Sequence, residues 1–250
     1  MTEILLWLMI LCILLIVHSY VLYPLYMIRR YRTQRERYLE YREGDPELPK
    51  VAVLIAAYNE EAVIREKLLS VFNTRFPLDR LKVYVGSDAS VDRTEALVEE
   101  LKQTYANLEL VRFSGRVGKI NIINHLQSLG EEDILIMTDA NVMFEPGTLH
   151  ELVKYFKDER VGIVAANIIK KSSGNEGISQ QEIVYLSMEN KIKAAESNAH
   201  GFIMGAEGGC YAIRNTLFSK VPSRFIVDDF FITFQVILKG NLTLFNPEAL

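Results

Sequence analysis

Short runs of consecutive apolar residues alternate with amphipathic stretches along most of the chain. A run that is apolar at successive positions, rather than at alternate ones, is typical of a strand buried on both faces. The stretches between the runs carry apolar residues at helical spacing, which predicts helices. Strands that alternate with helices predict an α/β fold, in which a mostly parallel sheet carries helices on both faces. The apolar runs are Val51–Ala57, Leu81–Ser87, residues 108–113, Ile134–Thr138 and residues 161–169.

A longer apolar segment, residues 4–28, precedes this pattern. About 20 apolar residues cross the hydrocarbon core of a bilayer, so the segment predicts one N-terminal transmembrane helix. Arginines follow it at positions 29, 30, 32, 35 and 37, whereas Glu3 is the only charged side chain before it. The positive-inside rule then places the rest of the chain in the cytoplasm. A cleaved signal peptide is the alternative, and the long run without a basic region before it fits that alternative less well.

These patterns divide the chain into three parts. We expect a transmembrane anchor at residues 1–29 and a juxtamembrane linker at residues 30–49, which begins as a helix and ends in Pro46-Glu47-Leu48-Pro49. We expect the main domain at residues 50–250, with a polar loop at residues 170–177 and a further helix from residue 178 to about residue 197.

Composition narrows the function classes. A length of 250 residues with 49% hydrophobic residues allows one domain with a sizeable core in addition to the anchor. The net charge of −4, without a large basic block after the anchor, argues against nucleic acid as a partner. Cys12 and Cys210 give neither a metal-binding spacing nor a disulfide framework, which is compatible with a reduced cytosolic setting.

Three successive predicted strands end in polar clusters: residues 58–60, residues 88–94 and residues 139–141. In a parallel sheet the carboxyl ends of the strands share one edge, and ligands bind there. Asp139 and Asn141 offer two oxygen donors, which suit Mg²⁺ or Mn²⁺ carrying a diphosphate. An Asx turn that closes the strand is the alternative interpretation of this pair. Asn59 and Asp92 are expected to cap the helices that follow them.

The first of these turns, Ala56-Ala57-Tyr58-Asn59-Glu60, lacks the glycines of a dinucleotide-binding fingerprint. This argues against a nicotinamide-dependent oxidoreductase. The chain also contains no G-x-x-x-x-G-K-[ST] sequence, which argues against a P-loop nucleoside triphosphatase.

Several segments, taken in order and spacing, resemble the motifs of the family 2 inverting glycosyltransferases, including the polymer-making synthases. Each motif alone is weakly specific, whereas the ordered set is specific, and it covers about residues 51–250. The matching segments are Ala57-Tyr58-Asn59-Glu60, residues 86–94, Arg116-x-Gly118-Lys119 with Asn124, Asp139-Ala140-Asn141 with Pro146, residues 205–209 with Arg214, and Asp228-Asp229 with Gly240.

The resemblance implies a GT-A fold, a nucleotide-sugar donor and Mg²⁺ or Mn²⁺ as cofactor. It also divides the main domain into a nucleotide-sugar-binding half, residues 50–145, and an acceptor half, residues 146–250. Asp88 would accept a hydrogen bond from uracil or another base, and Lys119 would lie near the nucleotide or the diphosphate. The substrate-binding residues that the resemblance implies are Ala57, Tyr58, Glu60, Asp88, Lys119, Asp139, Gly208, Gly209 and Asp228.

The resemblance also implies which residues bind the metal ion and which residue accepts the proton of the acceptor hydroxyl. Asp139 and Asn141 would be the metal ligands, and Asp229 would be the catalytic base. Asn141 departs from the aspartate that is usual in the family, which weakens the charge that holds the metal. Without the resemblance, acidic residues at the start of a helix such as Asp228 and Asp229 are usually caps.

The function that the resemblance implies is a membrane-anchored, inverting glycosyltransferase of the inner or plasma membrane. It would move a sugar from a nucleotide-diphosphate sugar, expected to be a UDP-sugar, to a saccharide or lipid-linked acceptor. A non-catalytic nucleotide-sugar-binding or scaffolding membrane protein is the alternative, because of Asn141 and because the sequence ends early, at Leu250. Trp7 is the only tryptophan. The Q-x-x-R-W motif of polymer-making relatives is therefore absent, so the chain is either a fragment or a shorter transferase.

Overall fold

A computed structural model describes residues 2–33, 38–169 and 180–250. The chain divides into two compact units, one formed by Met1–Arg37 with Ser172–Gly201 and the other by Tyr38–Lys171 with Phe202–Leu250. Residues 34–37 of the predicted linker and the predicted loop at residues 170–177 lie outside the described residues.

The described part of the chain contains α-helices, strands and short 3₁₀ turns. The helices are α1 (Thr2–Val17), α2 (Tyr23–Thr33), α3 (Ile64–Phe72), α4 (Thr94–Lys102), α5 (Lys119–Gln127), α6 (Thr148–Val153), α7 (Gln180–His200) and α8 (Asp228–Leu238). The strands are β1 (Val51–Ala57), β2 (Leu81–Ser87), β3 (Leu108–Arg112), β4 (Ile134–Thr138), β5 (Val161–Ala165), β6 (Cys210–Arg214) and β7 (Leu242–Phe245).

The first unit is helical. A π-helical turn, His18–Leu22, joins α1 to α2, and Glu3–Arg30 is long and apolar enough to cross a membrane. Helix α2 packs on α7, and the Tyr23 hydroxyl donates a hydrogen bond to the Glu196 carboxylate. The predicted helix near residues 178–197 is therefore present as α7, but its contacts group it with the N-terminal helices.

The second unit is built on a seven-stranded sheet of order β3-β2-β1-β4-β6-β5-β7 within the described residues. Strand β6 runs antiparallel to β4 and β5, whereas the other pairs are parallel, so the predicted mostly parallel sheet is confirmed. Strands β1 and β2 have the predicted bounds, whereas β5 is shorter than the predicted run at residues 161–169. Strands β6 and β7 were not among the predicted strands.

Helices cover both faces of this sheet, as predicted. Helices α3, α4 and α6 bury their apolar side chains in one core with the strands. Helix α5 contacts β1 and β2, and α8 contacts β5 and β7. The close approach of α5 requires a glycine, because a Cβ on Gly86 would lie 2.2 Å from Cγ2 of Ile122.

The loops after β1 and β2 are tied to each other, which corrects one prediction. Asn59 does not cap α3, which begins at Ile64 without a side-chain cap. Its backbone is left-handed, with φ of 54°, and its Oδ1 accepts a hydrogen bond from the Val91 amide at 2.9 Å. Asp92 accepts a hydrogen bond from the amide of Thr94, the first residue of α4, at 2.9 Å, although Arg93 and not Asp92 occupies the N-cap position.

Residues 38–49 belong to the second unit and form no helix. The Tyr41 amide donates to the Lys154 carbonyl at 2.9 Å, and Leu48 is buried. Lys157 forms an ion pair of 2.9 Å with Asp45. The predicted linker therefore begins as a helix, since residues 30–33 belong to α2, and it is not helical at residues 38–49.

Candidate active site

A cavity of about 280 Å³ lies at the carboxyl ends of the central strands β1, β2 and β4. The strand-end clusters meet there because parallel neighbouring strands end at the same edge of the sheet. The cavity is lined by Ala56, Ala57, Tyr58, Glu60, Asp88, Arg116, Gly118, Lys119, Ile122, Asp139, Ala140 and Asn141. The predicted site residues of the nucleotide-sugar-binding half are thus brought together by the fold.

One wall of the cavity is a stack of Arg116 on Tyr58. The guanidinium carbon of Arg116 lies 3.3 Å from the centroid of the Tyr58 ring, a cation–π contact. The Nε of the same guanidinium donates to Oδ2 of Asp88 at 2.9 Å. The three side chains therefore link the loop after β1, the loop after β2 and the segment before α5.

Asp88 is buried, with 3% of its surface exposed, and it is held by several donors. Its carboxylate accepts hydrogen bonds from the Val117 amide at 2.6 Å and from the Gly118 amide at 3.2 Å. Burial alone would raise the pKa of Asp88, but these amides and Arg116 hold it below its usual value. Asp88 is therefore a fixed negative charge, and its contact with a base stays a prediction.

Asp139, directly after β4, lies beside the ammonium of Lys119 at the start of α5. Nζ of Lys119 is 2.6 Å from Oδ1 of Asp139 and 3.4 Å from the Gly208 carbonyl oxygen. The Asp139 amide donates to the Gly209 carbonyl at 3.0 Å. Of the two predicted glycines of the acceptor half, Gly209 thus contacts the Asp139 loop directly, and Gly208 contacts the Lys119 ammonium that lies beside it.

Glu60 adds a second carboxyl group close to Asp139. Burial raises the pKa of Glu60, and the negative charges of Asp139 and Asp92 raise it further. A site with this concentration of negative charge attracts cations, which is consistent with the position of the Lys119 ammonium at Asp139.

The donor set at the cavity suits a hard divalent cation that is also bound by phosphate. Asp139 and Asn141 both line the cavity with oxygen donors, and Oδ1 of Asp139 already attracts the Lys119 ammonium. In the described parts of the chain, no group of three or more His, Cys, Asp or Glu side chains could hold a metal ion. Mg²⁺ commonly takes one or two protein ligands and completes its shell with water and substrate phosphates, so the residues fit that kind of site.

Asp229 lies in the first turn of α8, next to the backbone of Gly208. A Cβ on Gly208 would lie only 2.7 Å from Oδ2 of Asp229, so glycine permits this contact. Burial raises the pKa of Asp229; the Phe230 amide lowers it, and the charge of Asp228 raises it. A carboxyl group with a raised pKa is a better proton acceptor when it is ionised. Asp228 is the first residue of α8, and its negative charge acts on the pKa of Asp229.

A buried lysine, Lys67 of α3, lies below the Asp139 loop and was not predicted as a site residue. Its side chain has no exposed surface. Nζ donates to Oγ1 of Thr138 at 2.9 Å and to the Val142 carbonyl, and it lies 3.5 Å from the centroid of the Phe144 ring. Burial lowers the pKa of Lys67 to about 7.

The sequence pattern indicated that Lys67 is unusual, but it gave little indication that the other unpredicted residues belong to the site. Lys67 occupies a core-facing position of α3 between Ile64 and Leu68, where an apolar residue is the usual choice. Arg116 and Ile122 line the cavity only because of their orientation in the fold. Asn124, which belongs to the same motif as Arg116, binds the backbone amide and carbonyl of Val221.

Comparison with known proteins gives a family match. The sequence profile described as glycosyl transferase family 2 matches residues 52–221. This range includes the cavity residues and the Gly208-Gly209 pair, and it ends before α8.

Curated relatives match the chain over part of their length. The chain is 35% identical over 140 residues to the probable glycosyltransferase YdaM of Bacillus subtilis, which covers 54% of this chain and 33% of that protein. It is 31% identical over 133 residues to the beta-monoglucosyldiacylglycerol synthase of Synechocystis sp., which covers 52% of this chain and 27% of that protein. The chain therefore matches only about a third of the length of these relatives.

A solved structure shares the fold. The mannosyltransferase PcManGT from Pyrobaculum calidifontis, solved in complex with GDP-Man and Mn²⁺, superposes with a TM-score of 0.75 and 24% identity. The match covers 94% of this chain and 66% of that one. The chain thus has the GT-A fold that its sequence motifs predict.

Proposed function

Because the chain belongs to glycosyl transferase family 2, we propose that it transfers a sugar from a nucleotide-diphosphate sugar to a saccharide or lipid-linked acceptor, with inversion. One observation carries the proposal. The cavity at the ends of β1, β2 and β4 brings Asp88, Lys119 and Asp139 together, and the Gly208 backbone connects this cluster to Asp229.

The nucleoside of the donor would lie against the wall formed by Tyr58, Asp88 and Arg116. Tyr58 and Arg116 present apolar and delocalised surfaces for a planar base, and Asp88 presents a fixed carboxylate. A hydrogen bond from the N3–H of uracil to Asp88 would suit a UDP-sugar, which is the donor that we propose. The family match does not by itself identify the nucleobase of the donor.

The diphosphate would lie beside Lys119, Asp139 and Asn141. Lys119 would release Asp139 and place its ammonium on a phosphate oxygen, because both partners are partly exposed and near each other. A divalent cation bound by Asp139 and Asn141 would neutralise the diphosphate and make it a better leaving group. Glu60 would maintain the negative potential on the protein side of that cation.

Asp229 is proposed as the base that activates the acceptor hydroxyl. It would take the hydroxyl proton while the acceptor oxygen forms a bond to the anomeric carbon and the bond from that carbon to the diphosphate breaks. Attack from the face opposite the leaving group inverts the configuration. Its half-buried position near Gly208 and Lys119 is the geometry that supports this role.

The same proposal includes anchoring in the membrane. The helix Glu3–Arg30 provides a span of sufficient length, and the arginines that begin at Arg29 favour a cytoplasmic catalytic domain. A nucleotide-sugar donor is available on that side of the inner or plasma membrane.

A donor screen tests the proposed function. The detergent-solubilised full chain is heated with UDP- and GDP-sugars in the presence of Mn²⁺ or Mg²⁺, and transfer is then measured with the stabilising donor. We expect a metal-dependent rise in melting temperature that Asp139→Ala loses, followed by release of the nucleoside diphosphate. Binding without turnover for any acceptor would favour the non-catalytic alternative, and no binding of any donor would contradict both.

A further inference from the structure

Lys67 has no role in the mechanism above, although it is the most unusual charged residue near the site. It is not among the residues that line the cavity, and its side chain is fully buried. A buried ammonium is costly, and an apolar residue of similar volume often serves stability equally well or better. The position of Lys67 therefore indicates a purpose other than stability.

The contacts of Lys67 define that purpose. Its nitrogen binds Thr138, the residue before the loop at residues 139–141, and Val142, the residue after it. The loop itself is closed by a hydrogen bond of 3.3 Å from the Val142 amide to the Asp139 carbonyl. One nitrogen thus holds both ends of the loop that carries Asp139 and Asn141.

A second side chain of α3 supports the same segment. Oγ of Ser70 accepts a hydrogen bond from the Phe144 amide at 3.1 Å, and the Phe144 ring lies against the Lys67 ammonium. Helix α3 is therefore attached to the chain on both sides of Val142. Because both acceptors must stay within reach of one nitrogen, the separation of the loop ends is fixed.

We propose that Lys67 is a positioning residue that clamps the loop at residues 139–141 and thereby sets the affinity of the site for a nucleoside diphosphate. The affinity part of this inference rests on the proposed function, because the loop supplies Asp139 and Asn141 to the diphosphate. The clamp itself does not depend on the reaction and is measurable in the free protein.

Lys67→Met tests the clamp, because methionine keeps an unbranched side chain and removes the ammonium. Hydrogen exchange of the Val142 amide is compared with that of the Val83 amide, which binds the Asn107 carbonyl far from the loop. We expect exchange at Val142 to rise about tenfold in the variant while exchange at Val83 stays unchanged. Opening of the loop in the variant no longer has to break the buried hydrogen bonds of the Lys67 ammonium. Equal exchange at Val142 in both proteins would overturn the clamp.

The affinity is measured with UDP and Mn²⁺ by titration calorimetry on the same two proteins. We expect about tenfold weaker binding of UDP by Lys67→Met at an unchanged or higher melting temperature. A merely structural role would lower the melting temperature and leave the UDP affinity of the folded protein unchanged, and that result would overturn the positioning role. If the wild type bound no nucleoside diphosphate, the proposed function would fail, and exchange at Val142 would still decide the clamp.

Thr138→Val provides a second variant if Lys67→Met does not fold. It removes one acceptor of the ammonium while preserving the shape of a β-branched residue in β4. We expect the same selective rise in exchange at Val142 and the same direction of change in UDP affinity, each smaller than in Lys67→Met. Wild-type values of both quantities in Thr138→Val would contradict the proposal.

Discussion

Nζ of Lys119 lies 2.6 Å from Oδ1 of Asp139, so a protein cation already sits at the carboxylate proposed to bind a metal. The pair joins the start of α5 to the end of β4, and the same ammonium is 3.4 Å from the Gly208 carbonyl oxygen. Lys119 thus connects the loop of Asp139 with the loop that faces Asp229. Both partners are about 40% exposed, so their pairing is weak enough to exchange for a donor.

The metal assignment predicts opposite effects at two positions of one loop. Asp139→Ala should remove the dependence of UDP binding on Mn²⁺, because it removes the charged ligand. Asn141→Asp should strengthen that dependence, because it adds a charge at a site for a hard cation. Titration of each protein with UDP, with and without Mn²⁺, measures both effects. Unchanged metal dependence in Asp139→Ala would refute the assignment.

The contact between Gly208 and Asp229 predicts a loss of transfer without a loss of folding. In Gly208→Ala the new Cβ would lie 2.7 Å from Oδ2 of Asp229, and the carboxylate would have to move. We expect the transfer rate to fall while donor affinity is kept. Gly205→Ala is the matched control, because its Cβ would make an ordinary contact of 3.4 Å with Phe230. Equal transfer rates in the two variants would show that the position of Asp229 is unimportant.

The raised pKa of Asp229 predicts how its replacement changes stability with pH. Between the ordinary pKa and the raised one, the folded state binds more protons than the unfolded state, so stability falls as the pH rises through this window. The penalty is fully present above the raised pKa. Asp229→Asn should therefore melt at the same or a higher temperature than the wild type at pH 7.5, and the difference should shrink towards pH 4.

Thermal melts of wild type and Asp229→Asn over that pH range test this expectation. Asp228→Asn is the control for a loss of negative charge at the start of the same helix. A variant Asp229→Asn that is less stable at pH 7.5 than at pH 4, relative to the wild type, would contradict the sign of the effect.

The sequence predicted the fold of residues 50–145 well. Strands β1 and β2 have the predicted bounds because polar residues end both apolar runs, and their parallel pairing brings Tyr58, Asp88 and Asp139 to one cavity. Strand β6 was missed because a short run gives little signal of its own. Its antiparallel pairing with β4 depends on contacts distant in sequence.

The sequence did not predict the directions of several side chains at the site, and this was the main limit of the site prediction. The pattern of α3 indicates an amphipathic helix, but it does not show that Lys67 reaches the loop after β4 and binds the Val142 carbonyl. The stacking of Arg116 on Tyr58 likewise depends on how two loops meet. The sequence predicts a helix near α7 and leaves its partner open, and α7 packs on α2.

The anchor predicts a membrane-bound protein with its catalytic domain in the cytoplasm. The chain should stay in the membrane fraction after carbonate extraction, because Glu3–Arg30 would span the bilayer. Protease should digest residues 50–250 only when it reaches the cytoplasmic side. Protection of these residues from protease on that side would reverse the proposed topology, and release by carbonate would contradict the span.

Transfer rate and donor affinity, measured side by side for Asp229→Asn and Asp228→Asn, test the central claim most directly. Asp229→Asn should keep donor affinity, because the proposed diphosphate and base contacts lie elsewhere, and its transfer rate should fall by at least about 100-fold, the low end for the loss of a general base. Asp228→Asn should retain most of the transfer rate and change stability by no more than about 1 kcal/mol, as expected for a helix-end residue. Full transfer by Asp229→Asn, or a larger loss in Asp228→Asn, would contradict the assignment of Asp229 as the base.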